Sequence, residues 1–462
     1  MISNSVLVVV EVHLQALAEK IKPVILNIKS DYNLPSLGIA VFTLYAITQR
    51  LLDLYSNIRV FDVTVIRVFE LLLISFSLLC LLIGRYDQQK FVKSFTGIDI
   101  LWFVAIIYIF INLFRIEADR YDYFIFAAVL FFLFFAKTEA DNFRTAFLLI
   151  KCGAIFYAAG TLVQFIIPEQ FNNFILSLTS KYSRETLDYR VRLNYYPGFG
   201  YNQIGLAANY ISLGMGSILV YWSDNKVRIR NDIILFIVLL AALFITGKRS
   251  FLLWTIVALY LTYIATGLGS DRLRRIIKAS VLVFFSTVLA FAIVQFFGDM
   301  PLFARLQLLF REVLYQDVTG SVAARFRLFQ EAWNFFLSSP WFGIGWDQFF
   351  LVNKTGYRVH NLFLQVLAET GIVGFVLIIP PIIYSYVATY KALRSSFDRI
   401  NLINPLWSKA LALSFYYQTV FLLNNISDTL FYRPPFLLVY FLTLAIVNSY
   451  IYLQRNFEPG QG

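Results

Sequence analysis

The sequence is poor in charge and in the residues that bind metals or form disulfides. Only 15% of its 462 residues are charged, and it has two cysteines and two histidines. An ordinary soluble domain contains considerably more charge than this. Cys80 and Cys152 both lie in apolar runs, so neither a disulfide framework nor a cysteine-based metal site is expected. The composition therefore predicts no bound transition metal and no other cofactor.

Apolar residues are abundant instead. They make up 59% of the chain, and the mean hydropathy is +0.68. Apolar runs of about 20 residues recur, which is the length of a transmembrane helix and not of a barrel strand. The predicted fold class is all-α, a polytopic integral membrane protein with about 12 transmembrane helices and a large helical extracytoplasmic loop. The predicted spans are 34–49, 62–83, 98–114, 121–136, 146–167, 203–222, 232–246, 250–267, 276–297, 362–388, 405–425 and 436–454.

Two segments are expected from the hydrophobic pattern. Residues 1–33 have leucine and isoleucine at helical spacing and no convincing signal peptide, which predicts an N-terminal amphipathic cytoplasmic segment. Residues 34–455 form one predicted transmembrane domain, with long extracytoplasmic loops at 168–201 and 298–361. The second loop contains two apolar stripes at helical spacing, which predict helices that lie on the membrane surface and use those stripes for packing rather than for binding. The stripes are Leu302, Phe303, Leu306, Leu309, Phe310 and Val313, and Phe326, Phe329, Trp333 and Phe336.

The net charge of +11 does not indicate nucleic-acid binding, because the basic residues are spread over short loops between the spans. Their distribution places the N-terminus in the cytoplasm. The two long outer loops are exceptions to the orientation rule, since both contain several arginines. Two explanations stay open: long loops cross the membrane regardless of charge, or these arginines face an anion outside the membrane.

The stretch from residue 343 to 374 combines a glycine-rich turn, a polar segment and the start of an apolar run. His360 lies where the polar segment meets the predicted span, at the boundary between water and lipid. A histidine at such a boundary can transfer protons near neutral pH. An ordinary solvated loop histidine is the alternative interpretation.

Several short patterns in this part of the chain resemble a known signature. They are Pro340-Trp341-Phe342-Gly343-Ile344-Gly345, then His360-Asn361, Leu364, Glu369-Thr370-Gly371 and Gly374. Together they resemble the O-antigen ligase and O-antigen polymerase superfamily. Thr246-Gly247-Lys248-Arg249-Ser250 and the segment 325–333 agree with it, so the resemblance covers roughly residues 190–390. It implies a glycosyltransferase of the bacterial inner membrane that acts in lipopolysaccharide or exopolysaccharide synthesis.

The resemblance also suggests catalytic residues. His360 would be the general base, and Arg249 matches an essential arginine of the family's T-G-S-R turn, although Lys248 replaces the serine here. The alternative for Lys248 and Arg249 is that they are end-caps whose charges reach out of the membrane. Arg325 resembles a second family arginine, and a match shifted to Arg327 stays open.

The remaining predicted site residues would bind the substrate. They are Arg192, Arg190, Lys248, Arg327, Arg358 and Asn361. Arginine can grip phosphate oxygens with two hydrogen bonds, and the outer loops show no carboxylates at metal-ligand spacing. The hypothesis is therefore a metal-independent clamp for the donor's pyrophosphate. Asn361 would orient the imidazole or a sugar hydroxyl, and Glu369 would be a structural partner for a buried arginine or tyrosine.

The partners implied by the family are an undecaprenyl-pyrophosphate-linked glycan donor, a glycan or lipid A-core acceptor, membrane lipid and a chain-length regulator. The sequence does not separate a repeat-unit polymerase from a ligase. The rival interpretations are a transporter of a small anion or inorganic carbon and a scaffold in a synthase complex. Charges deep within spans would favour transport, but they are few: Arg67, Glu70 and Glu369.

Overall fold

A computed structural model describes most of the chain. The described residues are 33–52, 59–60, 63–85, 95–115, 120–178, 184–201, 204–221, 226–267, 273–278, 280–281, 321–398 and 404–457. All but the last residue of the predicted amphipathic segment 1–33 lies outside them. So do most of the predicted span 276–297 and the first predicted helix of the long outer loop, 302–313.

The described residues are almost entirely helical. The helices are α1 Leu34–Leu52, α2 Val65–Arg85, α3 Gly97–Arg115, α4 Arg120–Phe135, α5 Arg144–Ile166, α6 Pro168–Leu178, α7 Arg184–Arg192, α8 Ile204–Tyr221, α9 Lys226–Ile245, α10 Arg249–Ala265, α11 Ser321–Ser338, α12 Phe349–Val352, α13 Leu362–Asp398, α14 Leu406–Ser427 and α15 Pro434–Phe457. Short 3-10 turns occur at Ala140–Phe143, Gly198–Gly200 and Leu430–Tyr432. Strands β1 Arg59–Val60 and β2 Val63–Thr64 form a small antiparallel ladder.

The predicted all-helical fold is confirmed, and each predicted span within the described residues corresponds to one of these helices. Four described helical segments are long and apolar enough to cross a membrane: 97–114, 140–166, 362–397 and 434–455. Shorter apolar helices occur at 34–49, 68–84, 123–135 and 249–265. These are features of a multi-pass membrane protein. The total of about 12 crossings stays a prediction.

Helices α14 and α15 lie at the centre of the bundle. Helix α14 packs on α8, α10, α13 and α15, and α15 also packs on α1 and α4. Helix α14 contains polar residues that are buried, among them Ser414, Gln418 and Asn424. Gln418 Oε1, for example, accepts a hydrogen bond of 2.9 Å from Thr389 Oγ1 on α13. Buried polar groups need such partners where no water is available, so a helix with this composition belongs in the interior.

Helices at the periphery show the opposite pattern, because they expose large apolar side chains that lipid can cover. On α3 these are Ile100, Phe103, Val104, Ile107, Ile111 and Phe114. The other face of α3 is buried against the bundle through Trp102, Ile106 and Ile109. The sequence pattern of α3 therefore determines which side faces the core and which side faces outward.

A buried ion pair joins three helices at the end of the bundle where α15 finishes. Lys137 Nζ, just after α4, is 2.5 Å from Asp99 Oδ2 at the start of α3, and both side chains are fully buried. Asn448 of α15 donates a hydrogen bond of 2.7 Å to the other oxygen of Asp99. These bonds fix the position of α15, whose opposite end begins beside the site described next.

Candidate functional site

The glycine-rich turn of residues 340–345 fills a break in helix α13. At Gly371 the backbone leaves the helical conformation, with φ of 64° and ψ of −166°. The amides of Ile344 and Gly345 donate to the carbonyls of Ala368 and Glu369, at 3.1 and 2.8 Å. In return, Pro340 and Trp341 accept hydrogen bonds of 2.8 and 3.2 Å from the amides of Ile372 and Val373. The turn thus pairs backbone groups that the break frees, which a membrane protein requires.

Two glycines make this close crossing possible. A Cβ added to Gly343 would lie 2.2 Å from the carbonyl carbon of Glu369. A Cβ on Gly371 would lie 2.4 Å from the carbonyl carbon of Trp341. Both glycines also have positive φ, which residues with a Cβ rarely adopt. Glycine is therefore needed at both positions, because the backbone of the turn and the backbone of α13 cross there in direct contact.

The buried carboxylate of Glu369 holds the next part of the loop. One oxygen accepts a hydrogen bond of 2.9 Å from the Asp347 amide, and the other accepts one of 3.1 Å from the Phe349 amide. The side chain is fully buried. Glu369 is therefore tied to the backbone where the loop turns into α12.

Arg358, a predicted substrate-binding residue, forms a two-pronged ion pair with Asp347. Its Nε and Nη2 donate to the two carboxylate oxygens at 2.9 and 2.7 Å. The guanidinium also lies over the ring of Phe350, 5.1 Å from its centroid. Burial works against the charge of Arg358, but the hydrogen bond to Asp347 and the electrostatic interactions with Asp347, Glu369 and Tyr432 together outweigh it and raise the pKa of the arginine above its usual value.

His360 lies at the start of α13, and a neighbour anchors it there. Asn361 Oδ1 accepts a hydrogen bond of 3.0 Å from the Leu364 amide and so caps the helix. The Nδ2 of Asn361 donates a bond of 3.1 Å to the carbonyl of Ile426, near the end of α14. These bonds bring the His360 segment to the loop between α14 and α15.

In that loop, Asp428 meets His360 and two basic side chains. Its Oδ1 is 3.4 Å from His360 Nδ1 and 3.0 Å from Arg433 Nη2. Its Oδ2 is 4.0 Å from Lys248 Nζ. Burial alone would raise the pKa of the Asp428 carboxyl, but the surrounding cationic groups, Arg433 first among them, hold it well below its usual range. One carboxylate therefore faces two permanent cations and one imidazole.

Sequence reasoning did not find Asp428 or Arg433. Both fall outside the motifs, in the short segment between the last two predicted spans. One signal was available: they are the only charged residues between positions 426 and 435. Charges at the boundary between water and lipid need a partner or a function.

The turn that contains Lys248 and Arg249 packs against the first long loop. Gly247 has φ of 73°, and a Cβ there would lie 2.6 Å from the Asn194 carbonyl oxygen. Arg249 begins α10 and is half-buried. Within the neighbouring loop, Arg190 donates a hydrogen bond to the Tyr201 carbonyl. The structure thus places the predicted arginine turn beside the loop that supplies Arg190.

Residues 234–379 match the family model described as O-Antigen ligase. The match confirms the resemblance to the O-antigen ligase and polymerase superfamily. No curated protein matches the chain. The match supports a membrane enzyme of the glycan ligase or polymerase type in general, with a lipid-linked glycan and an acceptor as its substrates.

The family match contains some of the site and omits the rest. Lys248, Arg249 and His360 lie inside the matched residues, whereas Asp428 and Arg433 lie beyond them. The structure brings matched and unmatched residues together, because α13 and α14 pack side by side. The site therefore depends on parts of the chain that the family match does not include.

Arg192 is exposed near the end of α7. It lines an open cavity of about 660 Å³ with Glu185, Thr186, Asp188 and Tyr189. The structure shows no contact between Arg192 and His360 among the residues it describes. Its predicted role in substrate binding stays a prediction.

Arg325 and Arg327 are exposed on α11. This helix packs on α13, and its buried residues Leu328 and Ala332 belong to one apolar cluster with Val359. The predicted helix is confirmed. Of its predicted apolar stripe, Phe329 packs against this cluster, whereas Phe326 and Trp333 are exposed. The buried face of α11 thus includes Leu328 and Ala332, which the predicted stripe did not contain.

Proposed function

We propose that the protein transfers a glycan from undecaprenyl pyrophosphate to an acceptor hydroxyl on the extracytoplasmic face of the bacterial inner membrane. The acceptor would be a second lipid-linked repeat unit for a polymerase, or lipid A-core for a ligase. The observation that carries the proposal is the contact between His360 Nδ1 and Asp428 Oδ1, at 3.4 Å, with Lys248 and Arg433 beside it. The family match supports the reaction class.

In the proposed reaction, the acceptor oxygen attacks the anomeric carbon of the donor glycan. The bond from that carbon to the pyrophosphate oxygen breaks, and the bonding electrons leave with the lipid pyrophosphate. His360 takes the proton of the acceptor hydroxyl as general base, a role that contributes roughly 10²–10⁴-fold to a rate. Because Asp428 faces Nδ1, the nitrogen that accepts this proton is Nε2. Asp428 would orient the ring and stabilise the imidazolium that forms.

The leaving pyrophosphate accumulates negative charge, and fixed cations can stabilise that charge. Lys248 Nζ and Arg433 Nη2 lie 4.0 and 3.0 Å from the Asp428 carboxylate, so two cations stand close to His360. Arg249 adjoins Lys248 in the sequence and is the proposed third cation. We also keep Arg325, Arg327, Arg190 and Arg192 as proposed donor contacts.

Transport is less well supported than glycan transfer. Unpaired charges along an interior path would favour transport, but two interior charges of the described helices are neutralised in pairs. Asp99 pairs with Lys137, and Asp232 pairs with Lys151 at 2.9 Å. At Asp428, by contrast, two basic residues, Lys248 and Arg433, surround one carboxylate beside His360.

The proposal is tested by reconstituting the purified protein in liposomes with a glycan linked to undecaprenyl pyrophosphate. A second donor molecule or lipid A-core is supplied as acceptor, and the extended or ligated product is measured. His360→Ala and His360→Gln should both lose transfer and still bind donor, because the cations supply most of the contact with the anion. His13→Ala, which changes the other histidine, is the matched control and should retain activity. Wild-type turnover by both His360 variants would remove His360 from the mechanism.

A further inference from the structure

A fully buried glutamine lies between the carboxylate of Glu369 and the backbone just before His360. Gln365 Oε1 accepts a hydrogen bond of 3.2 Å from the amide of Val359. Gln365 Nε2 donates a hydrogen bond of 3.1 Å to Glu369 Oε1. The two ends of the side-chain amide thus have different partners, one a donor and one an acceptor, which fixes its orientation.

These bonds close a ring around the segment that precedes His360. Glu369 accepts from the Asp347 amide, and the Asp347 side chain is bound by Arg358 through two hydrogen bonds. Arg358 is followed by Val359, whose amide returns to Glu369 through Gln365. The ring therefore holds Arg358 and Val359 from two sides.

The residue that follows this ring has an unfavourable backbone conformation. His360 has φ of 58°, in the left-handed region that favours glycine. Asp347, at the other end of the ring, also has a positive φ, of 53°. Side chains with a Cβ persist in this region only where surrounding structure enforces it.

We propose that Gln365 is a positioning residue for His360 and acts through the backbone of Val359. The inference rests on the proposed role of His360 as general base. The side-chain hydrogen bonds of Gln365 go to the Val359 amide and to Glu369, and not to the imidazole. It would fix the backbone from which the imidazole extends toward Asp428 and the acceptor. In the same ring, Arg358 would have a structural role, because its two hydrogen bonds to Asp347 hold the backbone just before His360 in place.

The test uses Gln365→Met, which keeps the length and burial of the side chain and removes both hydrogen bonds. We expect kcat to fall roughly 10–100-fold, because small displacements of a reacting group are costly. The KM for the donor should change less than about 3-fold, since the anion contacts are untouched.

Gln418→Met is the matched control. Gln418 is also fully buried, and both ends of its amide are bonded, to Thr389 and Thr443. It lies ten residues before Asp428 on α14, about 15 Å along that helix. A merely structural role for Gln365 predicts that the two variants lose similar stability and similar activity.

A second readout does not depend on activity. Hydrogen–deuterium exchange in the peptide that covers residues 355–364 should be faster in Gln365→Met than in the wild type and in Gln418→Met. If Gln365 and Glu369 act through the same chain of hydrogen bonds, their effects are not additive. The double variant Glu369→Gln with Gln365→Met should then lose no more kcat than Glu369→Gln alone.

Unchanged exchange in this peptide, or equal losses of kcat in Gln365→Met and Gln418→Met, would overturn the positioning role. If the wild-type protein itself transfers no glycan, the proposed function fails. The exchange measurement then decides the positioning role by itself.

Discussion

His360 and Asp428 join the start of α13 to the end of α14, with 3.4 Å between Nδ1 and Oδ1. Asp428 is buried, whereas the imidazole is partly exposed. An imidazole with one nitrogen against a fixed carboxylate and the other available is arranged for proton transfer. The contact also brings two distant parts of the sequence to one place.

The first prediction concerns the carboxylate of this pair. Asp428→Asn should lower glycan transfer roughly 10²-fold or more, because the ring loses the charge that orients it and stabilises its protonated form. Donor binding should be weakened far less. The measurement is single-turnover transfer in liposomes, with donor binding determined separately.

Asp141→Asn is the control for that experiment. Asp141 also pairs with an arginine, Arg144, at 2.7 Å, but both side chains are largely exposed. Surface pairs of this type contribute little, so this variant should behave as the wild type. Equal activity of Asp428→Asn and Asp141→Asn would show that His360 does not need its carboxylate.

The second prediction concerns the cations. Arg249→Ala, Arg325→Ala and Arg433→Ala should each abolish product while the protein remains at normal levels in the membrane. Arg→Lys changes should restore activity only in part, since a lysine cannot reproduce the two-pronged bond of arginine to phosphate. Arg327→Ala, measured beside Arg325→Ala, shows which of the two neighbours matters. Full activity of every lysine variant would refute the clamp.

A third prediction is that EDTA does not inhibit transfer. Fixed cations would then supply the stabilisation that a divalent metal gives in other enzymes. The measurement is the initial rate with and without chelator, followed by addition of a divalent ion. Strong inhibition that a divalent ion reverses would replace the arginine clamp with a metal site.

The fourth prediction follows from the depressed pKa of Asp428. A carboxyl whose pKa is lower in the folded state stabilises the protein above its unfolded pKa, about 3.9. This stability is lost as the pH falls through the folded-state pKa. The difference in Tm between the wild type and Asp428→Asn in detergent should therefore be present at about pH 5 and shrink as the pH falls below about 4. A difference that grows as the pH falls below about 4 would contradict the assignment.

The fifth prediction is the orientation. In a protein without Cys80 and Cys152, a cysteine at Lys354 should react with a membrane-impermeant reagent in intact cells. A cysteine at Lys391, also exposed and near the far end of α13, should react only after permeabilisation. The opposite pattern would place the site in the cytoplasm and would contradict the proposed transfer on the extracytoplasmic face.

The sequence by itself determined the helical class and the approximate bounds of the helices. These follow from local properties, because an apolar run of sufficient length has no other stable form in lipid. The glycine-rich turn and the segment around His360 were also visible, since each is a short pattern in consecutive residues. The sequence likewise pointed to the turn with Lys248 and Arg249.

Only the tertiary structure decided which of these residues meet. Asp428 and Arg433 approach His360 and Lys248 because α13, α14 and α10 pack together, and no local pattern encodes that packing. The bond between Arg358 and Asp347, and the bonds from Glu369 through Gln365 to Val359, depend instead on how the loop 345–361 folds back on α13. The turn of residues 340–345 lies at the helix break at Gly371 and pairs with the backbone there. The physical reason is that backbone groups buried in a membrane protein must find partners, and here those partners come from another part of the chain.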